Sequence, residues 1–362
     1  MAPRLEIKPH TVKGEFHTLL DNGRVRCDVC PRHCTLSDGQ RAFCFVRQAS
    51  GNEVVLTSYG LSTGFCIDPI EKKPLNHFHP GTPVLSFGTA GCNLGCRFCQ
   101  NWNISKAREV EKLSSKATPE AIAEAAAEAG ATSVAFTYND PIIFLEYAVD
   151  TAEACRARGI HPVAVSAGYV TPQARERFFG SMAATNIDLK AFTQQFYKKL
   201  CFAELEPVLD TLSYIHHETD VWLEVTTLLI PEENDSEAEV DQLAEWMVEH
   251  LGPDVPLHLS AFHPDFKLTH RPRTPTETLV RARKQALAAG LRFVYTGNVH
   301  DPEGGSTWCP GCGACLIGRD WYELSTWHLT AEGNCKSCDY ELPGKFTDRP
   351  GQWGRRRLPI RI

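Results

Sequence analysis

Three cysteines, Cys92, Cys96 and Cys99, follow an apolar run with the spacing C-x3-C-x2-C. A structural zinc ion takes four protein ligands, and a [4Fe–4S] cube normally takes four thiolates. Three neighbouring thiolates therefore suit a cube that keeps one iron open for a small molecule. Zinc with a distant fourth ligand is the alternative, which Phe98 and the strand-like run before the loop disfavour.

The sequence Cys92-x3-Cys96-x-Phe98-Cys99 resembles the signature of radical S-adenosylmethionine (SAM) enzymes. The resemblance implies that the open iron chelates SAM and that one electron from the cluster cleaves the sulfonium. The products would be methionine and a 5′-deoxyadenosyl radical, which abstracts hydrogen from a substrate. In such enzymes the protein positions the cofactor and excludes competing reactions. Phe98 is expected to pack near the adenine.

The elements that position this loop follow from the composition and the periodicity. The chain has 362 residues, of which 43% are hydrophobic and 22% charged, as in an ordinary soluble protein. Its net charge of −7 makes binding to nucleic acid unlikely and disfavours anionic membranes. No apolar run approaches the ~20 residues that cross a bilayer, and the start has no signal-peptide apolar region. We expect a cytoplasmic protein.

Residues 83–300 alternate between strand-like and helix-like segments. Repeated βα units with short connections predict a parallel sheet. The predicted class is α/β, with a partial (βα)6 TIM-like barrel of the radical SAM type, and residues 292–296 add a seventh candidate strand. The six main strands are predicted at 84–87, 133–137, 161–166, 186–190, 221–230 and 257–262.

The end of the second strand carries Thr137, Tyr138, Asn139 and Asp140, followed by a proline. In parallel α/β folds, functional residues gather at the carboxyl ends of strands. The segment resembles the element that holds the amino end of SAM in the family, although it lacks the usual glycine pair. A turn with a helix cap is the alternative, and both interpretations can hold together.

Polar residues also end the next strands. Ser166 is predicted to meet the ribose or carboxylate of SAM, and Asp188 with Lys190 is predicted to face SAM or substrate, as the resemblance implies. A salt-bridged strand end is the alternative for that pair. We predict catalytic roles for Lys190 and for His263, the latter in substrate contact or proton transfer, with a structural histidine as the alternative.

The chain has 15 cysteines and no secretion signal, so clustered cysteine pairs indicate metals rather than disulfides. Four of them lie within residues 27–44 and predict a structural zinc, with an auxiliary iron–sulfur cluster as the alternative. His33 is expected to be a loop residue rather than a ligand. The four cysteines of this group are Cys27, Cys30, Cys34 and Cys44.

Two cysteine pairs near the end, Cys309 with Cys312 and Cys335 with Cys338, have the spacing of a zinc ribbon. Cys315 makes the choice of the first pair ambiguous. Cys155 and Cys201 lie in helix-like stretches and are expected to be small apolar fillers.

The charged segment 68–80 is predicted to be an exposed, ordered loop, because it lies between prolines. We expect His77 and His79 to pack or to form hydrogen bonds rather than to bind a metal. We predict three parts: an N-terminal Cys-rich metal-binding cap (1–80), the radical SAM barrel (81–300) and a C-terminal zinc-ribbon-like part (301–362).

Together these motifs resemble the radical SAM member of the AmmeMemoRadiSam system, which is similar to pyruvate formate-lyase activating enzyme. The resemblance implies SAM, a [4Fe–4S] cluster and Zn²⁺ as cofactors. It also implies partners of the Memo and AMME types and an electron donor such as flavodoxin or ferredoxin, whereas the substrate, small or protein, is not identified. One alternative is an activase that installs a glycyl radical in a partner enzyme. A non-enzyme alternative is a zinc-binding adaptor.

Overall fold

The computed structural model describes residues 10–106 and 115–362. The strands, in chain order, are β1 (Val12–Lys13), β2 (His17–Leu19), β3 (Val25–Cys27), β4 (Thr35–Leu36), β5 (Arg47–Ser50), β6 (Glu53–Leu56), β7 (Leu61–Ser62), β8 (Phe65–Pro69), β9 (Pro83–Phe87), β10 (Ser115–Lys116), β11 (Ser133–Phe136), β12 (His161–Ser166), β13 (Ala184–Asp188), β14 (Trp222–Leu229), β15 (Leu257–Ala261), β16 (Val294–Gly297), β17 (Thr307–Trp308), β18 (Cys315–Asp320), β19 (Glu323–Trp327) and β20 (Leu358–Ile360).

Helices connect most of the central strands. Those of the described part are Trp102–Ser105, Pro119–Glu128, Leu145–Arg156, Pro172–Phe179, Gln194–Phe196, Glu206–Glu218, Glu237–Leu251, Thr276–Ala288 and Pro302–Gly305. Ile70–Lys72 and Pro141–Phe144 form 3₁₀ turns, and Tyr197–Cys201 forms a π turn. None of these described helices is both long enough and apolar enough to cross a bilayer.

A nine-stranded sheet forms the centre, in the order β16-β15-β14-β13-β12-β11-β9-β8-β20. Seven of these strands, β9 and β11 to β16, run parallel to one another. Strand β8 pairs antiparallel with β9, and β20 pairs antiparallel with β8. Because the parallel strands follow chain order across the sheet, all their carboxyl ends lie along one edge of it.

Local sequence explains these elements. Strand β11 is buried along its whole length, as expected for a parallel strand that is covered on both faces. The helix Pro119–Glu128 begins where the Thr118 side chain accepts a hydrogen bond from the Ala121 amide. The Ser236 hydroxyl caps Glu237–Leu251 in the same way. Chain segments after each parallel strand therefore start close to the same end of the sheet.

The register brings the strand ends side by side. Phe87, at the end of β9, pairs with Phe136 at the end of β11. Asp188, at the end of β13, pairs with Thr226, and Leu228 pairs with Ser260 on the next strand. The loops that follow these positions consequently meet above the sheet.

The sequence predictions and the sheet differ in three places. The seventh strand is present as β16, so the parallel set has seven strands rather than six. Strand four spans Ala184–Asp188 rather than 186–190, because the Leu189 amide bonds the Ile187 carbonyl and the Lys190 amide bonds the Tyr197 hydroxyl. The helical segment Glu206–Glu218 before β14 was not predicted.

The prediction of an exposed loop at residues 68–80 is wrong. Asp68, Lys73 and His77 are all buried. Asp68 accepts hydrogen bonds from Lys72 at 3.0 Å and from Lys73 at 2.9 Å, so its charge is matched inside the protein. Although burial acts in the opposite direction, the two lysines lower the pKa of Asp68 to about 2. Paired charges can be buried where isolated ones cannot.

Glu224 of β14 fixes the same segment to the sheet. Its carboxylate accepts hydrogen bonds from the backbone amides of Asn76 and His77, at 2.9 and 2.8 Å. It also accepts a hydrogen bond from His258 at 2.6 Å. His77 packs and forms hydrogen bonds, through Nδ1 to the Pro343 carbonyl and through Nε2 to the Tyr295 hydroxyl.

The smaller sheets are β1-β6-β5, β2-β3-β4, β7-β10 and β17-β18-β19. The boundaries at residues 80 and 300 stay a prediction, and two strands outside them, β8 and β20, pair with the central sheet. The hydrophobic cluster around the sheet includes Val25 and Leu36 of the N-terminal part. The N-terminal cysteines are therefore packed directly against the body that carries the sheet.

Candidate active site

The cysteine loop after β9 forms part of the wall of a cavity of about 260 Å³ at the carboxyl end of the sheet. Cys92, Cys96 and Cys99 all line this cavity, as does Phe98, whose ring lies 5.6 Å from that of Phe196. Small-molecule sites commonly measure about 300–1,000 Å³, so this cavity is close to the lower end of that range. The three thiols therefore face a space of the size of a small-ligand site.

Asn139 holds this loop from the neighbouring strand end. Its Oδ1 accepts a hydrogen bond from the Thr89 amide at 3.1 Å, and its Nδ2 donates to the Gly91 carbonyl at 2.8 Å. The two loops approach closely at Gly88, where a β-carbon would lie 2.3 Å from the Thr137 carbonyl oxygen. Asn139 lines the cavity and also positions the segment that carries the cysteines.

Asp140 connects the ends of β11 and β12. Its carboxylate accepts hydrogen bonds from the Ile142 amide, the Ser166 hydroxyl and the Ala167 amide at 3.1, 3.1 and 3.2 Å. Burial raises the pKa of Asp140 to about 6. Asp140 lines the cavity, whereas Ser166 lies behind the wall formed by Val165 and Ala167. The predicted contact between Ser166 and SAM stays a prediction.

Tyr138 and Thr137 complete the predicted group at this strand end, and both line the cavity. Tyr138 has a φ of 72°, which is uncommon for a residue other than glycine. Its hydroxyl donates to Asp68 Oδ2 at 3.0 Å. The buried segment before β9 therefore fixes the direction of the Tyr138 ring.

Asp188 and Lys190 form a charged pair in the same cavity. Lys190 Nζ lies 2.5 Å from Asp188 Oδ2, and both residues line the wall. Although burial acts in the opposite direction, the Asp188 carboxylate raises the pKa of Lys190, so the ammonium group stays charged. The Lys190 carbonyl accepts a hydrogen bond from Asn234 at 2.8 Å, which fixes the backbone at this position.

Cys201 is fully buried in the main hydrophobic cluster, as expected of an apolar filler, and it also supports Cys96. The Gly95 amide donates to the Cys201 carbonyl at 2.8 Å. A hydrogen bond from the Cys201 thiol, with help from the charge of Lys190, lowers the pKa of Cys96. Burial raises the pKa of Cys92 to about 12. Cys201 is distant in sequence from the C-x3-C-x2-C group, and its role depends on a π turn that no local pattern indicated.

Other strand ends contribute polar groups that the sequence did not assign to the site. Ser260 of β15 and Asn298, the residue after β16, both line the cavity. Asn298 has a φ of 60°, a conformation that asparagine tolerates better than most residues. Thr226 of β14 also lines it, and its buried Oγ1 has no hydrogen-bond partner among the described residues. That hydroxyl is an unsatisfied buried group beside the cavity.

His263 does not enter this cavity. It is exposed and lies two residues after the end of β15. Its predicted role in substrate contact or proton transfer stays a prediction.

A second cavity, of about 360 Å³, adjoins the first. The two share lining residues that include Tyr138, Ser260 and Asn298. The second is lined further by the buried segment before β9 and by the C-terminal part of the chain, through Lys73 and Arg319 among others. A molecule in the second cavity would therefore border on one in the first.

The C-terminal thiols are gathered in one place. The Sγ atoms of Cys309, Cys312, Cys335 and Cys338 all lie within 4.8 Å of one another. Cys315 lies outside this group, on β18, which matches the choice of Cys309 and Cys312 as the first pair. This geometry suits a metal ion, and the prediction of zinc remains a prediction.

The N-terminal thiols are gathered in another place. Cys27, Cys30, Cys34 and Cys44 all line one small cavity. Cys27 and Cys44 are buried, and the other two are partly exposed. His33 forms a hydrogen bond of 3.2 Å with Asp28 and is not part of the cavity wall.

Comparison with known proteins supports the radical SAM resemblance of the cysteine loop. The model of the "Radical SAM superfamily" matches residues 87–246. The chain is 40% identical over 328 residues to the uncharacterized protein MJ0808 of Methanocaldococcus jannaschii, which covers 90% of this chain and 97% of that protein. It is 25% identical over 179 residues to the pyruvate formate-lyase-activating enzyme of Listeria monocytogenes, over 46% of this chain and 70% of that enzyme.

Solved structures show weaker likeness. A radical SAM methyltransferase from Sphaerobacter thermophilus has 15% identity and a TM-score of 0.49, over 79% of this chain and 76% of that one. A domain of a pyruvate-formate lyase-activating enzyme from Bacteroides vulgatus has 18% identity and a TM-score of 0.41, over 46% of this chain and 98% of that domain.

Proposed function

Because the chain belongs to the radical SAM superfamily, we propose that it is an enzyme that binds a [4Fe–4S] cluster through Cys92, Cys96 and Cys99 and cleaves SAM reductively. The observation that carries the proposal is that these thiols share one cavity with the charged pair of Asp188 and Lys190. The cluster and SAM, when bound, supply a 5′-deoxyadenosyl radical that abstracts hydrogen from a substrate.

The donor set fits such a cluster. Three cysteines line the cavity, and no fourth cysteine does so among the described residues, which suits a cube with one open iron. Cys201 does not line the cavity, and its thiol donates a hydrogen bond to Cys96. Buried thiols must lose their protons to bind iron, and Lys190 favours that loss at Cys96.

Other cavity residues suit SAM. Lys190 offers a charged donor for its carboxylate, and charge-assisted hydrogen bonds are the stronger kind. Thr226 offers a hydroxyl that has no partner among the described residues, and Thr137 lies on the same wall. Phe98 is proposed to pack near the adenine. The parallel strands β9 and β11 to β16 are proposed to curve as a partial barrel around this site.

The second cavity is proposed as the substrate site. It shares Tyr138, Ser260 and Asn298 with the first cavity, so a hydrogen atom of the substrate could lie next to the SAM site. Its volume of about 360 Å³ suits either a small molecule or the side chain of a protein segment that enters from the surface.

Within the superfamily, we place the chain in the AmmeMemoRadiSam system, with partners of the Memo and AMME types and flavodoxin or ferredoxin as electron donor. The alternative is an activase that installs a glycyl radical in a partner enzyme. The similarity to the activating enzyme of Listeria monocytogenes, over 46% of this chain, favours that alternative. In both cases a Zn²⁺ ion is proposed at the four C-terminal thiols.

The test is anaerobic purification followed by incubation with SAM and dithionite. The protein should be brown and should release 5′-deoxyadenosine, and Cys96→Ala should abolish that product. Lys190→Met should lower SAM affinity at least tenfold, whereas the matched variant Lys267→Met, at an exposed position, should not. A colourless protein that contains only zinc and does not bind SAM would favour the zinc-binding adaptor instead.

A further inference from the structure

The cavity between the four N-terminal cysteines is small and otherwise largely apolar. All four thiols border it, and no carboxylate does among the described lining residues. Two of the cysteines, Cys27 and Cys44, are buried. The apolar part of the wall consists of Val29, Ala42, Phe43, Ile142 and Ile143. Such a wall excludes water, so the four sulfur atoms are the groups that could bind a metal there.

The spacing of these thiols differs from that of the C-terminal group. A tetrahedral zinc site with Zn–S bonds of about 2.3 Å places its sulfur atoms about 3.8 Å apart. The pairs Cys309–Cys338 and Cys312–Cys335, at 3.5 and 3.7 Å, have that spacing. The N-terminal thiols, although all four are described, do not form a group within 4.8 Å. A [4Fe–4S] cube separates its thiolates more widely, because each one binds a different iron.

Positive charge surrounds the cavity. Arg47 is buried on its wall, and its guanidinium lies 2.7 Å from Glu146 Oε2, so the arginine is held rigidly in place. Arg32 also lines the cavity, and its guanidinium lies 3.7 Å from the centre of the Phe43 ring. Four thiolates carry net negative charge around a [4Fe–4S] core as they do around zinc, and Arg32 would stabilise that charge, whereas Arg47 is already paired with Glu146.

This cavity borders the cysteine loop of the proposed active site. Gly91, which precedes Cys92, lies so close to Cys44 that a β-carbon on Gly91 would be 2.0 Å from the Cys44 carbonyl oxygen. Arg32 donates a hydrogen bond to the Asn93 carbonyl, and Asn93 itself lines the N-terminal cavity. The two groups of cysteines are thus joined by direct backbone contact.

We propose that Cys27, Cys30, Cys34 and Cys44 hold a second [4Fe–4S] cluster, in place of the structural zinc that the sequence predicted. This cluster takes one electron from a low-potential protein donor and passes that electron to the centre at the Cys92–Cys99 loop. No bond to the protein forms or breaks in this transfer. The transfer rests on the proposed function, whereas the presence of the second cluster does not.

The first test uses a variant in which Cys92, Cys96 and Cys99 are all replaced by alanine, purified without oxygen. We expect about four iron and four sulfide ions per chain to remain, with one electron-paramagnetic-resonance signal after reduction. We also expect about one zinc, at the C-terminal thiols. A triple variant with no iron and about two zinc ions would overturn the proposal.

The second test uses Cys30→Ser/Cys34→Ser, at the two partly exposed positions, where folding is least at risk. Iron should fall from about eight to about four per chain, and zinc should not change. The matched control, Cys312→Ser, should lose zinc and keep all the iron. Loss of zinc rather than iron from the double variant would contradict the proposal.

These experiments can refute the second cluster and the proposed SAM cleavage independently of each other. Iron that remains in the triple variant supports the second cluster even if the wild-type protein never cleaves SAM. Conversely, SAM cleavage by a protein whose triple variant holds no iron would refute the second cluster and leave the proposed function intact.

Discussion

The side-chain amide of Asn139 donates a hydrogen bond of 2.8 Å to the carbonyl of Gly91, the residue before Cys92. The loop after the second parallel strand therefore positions the cysteine loop after the first. The same side chain accepts a hydrogen bond from the Thr89 amide. One buried residue thus satisfies two backbone groups of a loop that has no regular structure of its own.

Asn139→Ala should destabilise the protein by about 1–3 kcal/mol, because it leaves the Gly91 carbonyl and the Thr89 amide unpaired in a buried place. Iron content should also fall, because the cysteine loop loses its support. Asn139→Asp retains the acceptor for Thr89 and should lose less stability than the alanine variant. Unchanged thermal unfolding and iron content in Asn139→Ala would remove this positioning role.

Gly91→Ala should be far more damaging than Gly130→Ala. Both glycines have positive φ, 88° and 65°, so both substitutions strain the backbone by roughly 1–2 kcal/mol. A β-carbon at Gly91 would also lie 2.0 Å from the Cys44 carbonyl oxygen, whereas nothing lies within 4 Å at Gly130. Denaturant unfolding of the two variants measures the difference in unfolding free energy. Equal losses of unfolding free energy would show that the backbone at Cys44 can move to accommodate the β-carbon.

The sequence predicted those parts of the site that are local. The spacing of Cys92, Cys96 and Cys99 and the polar ends of the strands lie within short segments, and the structure brings most of them to one cavity. The structure brings Lys190 next to Asp188 on the cavity wall, although the strand ends two residues earlier than expected. The alternation of strands and helices in the sequence locates the strand ends, and successive parallel strands end at the same edge of the sheet. Residues that follow those strand ends can therefore be predicted to lie close together.

Long-range pairing was not predictable in the same way. The charges at residues 68–73 indicated an exposed loop, because nothing nearby in sequence shows that Asp68 meets two lysines and Tyr138 inside the protein. The contact of Cys201 with Cys96 likewise joins residues more than 100 positions apart. His263 shows the opposite case, since it follows a strand end in sequence but does not line the cavity.

Acidification should destabilise the fold through His77. Burial lowers the pKa of His77 to about 4, against an ordinary value of about 6.5 in an unfolded chain. Between these values the unfolded state binds the proton and the folded state does not, so stability is lost as the pH falls from about 6.5 to about 4. The full effect is about 3 kcal/mol.

His77→Gln should reduce this dependence, because glutamine does not titrate. The comparison is the slope of unfolding free energy against pH in the wild-type protein and the variant, so that metal sites common to both cancel. If both proteins show the same slope between pH 7 and pH 5, another group is responsible.

Removal of metal from the C-terminal thiols should unfold that part of the chain. Cys309 and Cys335 belong to a small hydrophobic cluster with Leu316 and Leu329, which is too small to be stable alone. Cys312→Ser should therefore lose the bound zinc and raise susceptibility to proteolysis after residue 300. Cys315→Ser, outside the thiol group, should retain zinc; equal zinc loss in both variants would reassign the ligands.

Thr226 and Thr227 provide a matched pair for the ligand site. The Oγ1 of Thr227 donates to the Leu189 carbonyl at 2.8 Å, whereas that of Thr226 is buried without a partner among the described residues. Thr227→Val should therefore cost about 1–3 kcal/mol of unfolding free energy. Thr226→Val, of almost the same shape, should leave stability equal or higher, because an unsatisfied buried hydroxyl is unfavourable.

The two variants should rank in the opposite order for SAM affinity: Thr226→Val should bind SAM more weakly than Thr227→Val. Thr226 lines the cavity of the proposed SAM site, and Thr227 does not. Thr226→Val should weaken SAM binding by about fivefold to thirtyfold, as expected when one hydrogen bond of about 1–2 kcal/mol is lost, while folded Thr227→Val should bind SAM normally. Anaerobic titration calorimetry measures both affinities. If Thr226→Val binds SAM as tightly as the wild type and is also less stable, the hydroxyl has a partner within the protein and does not serve the ligand.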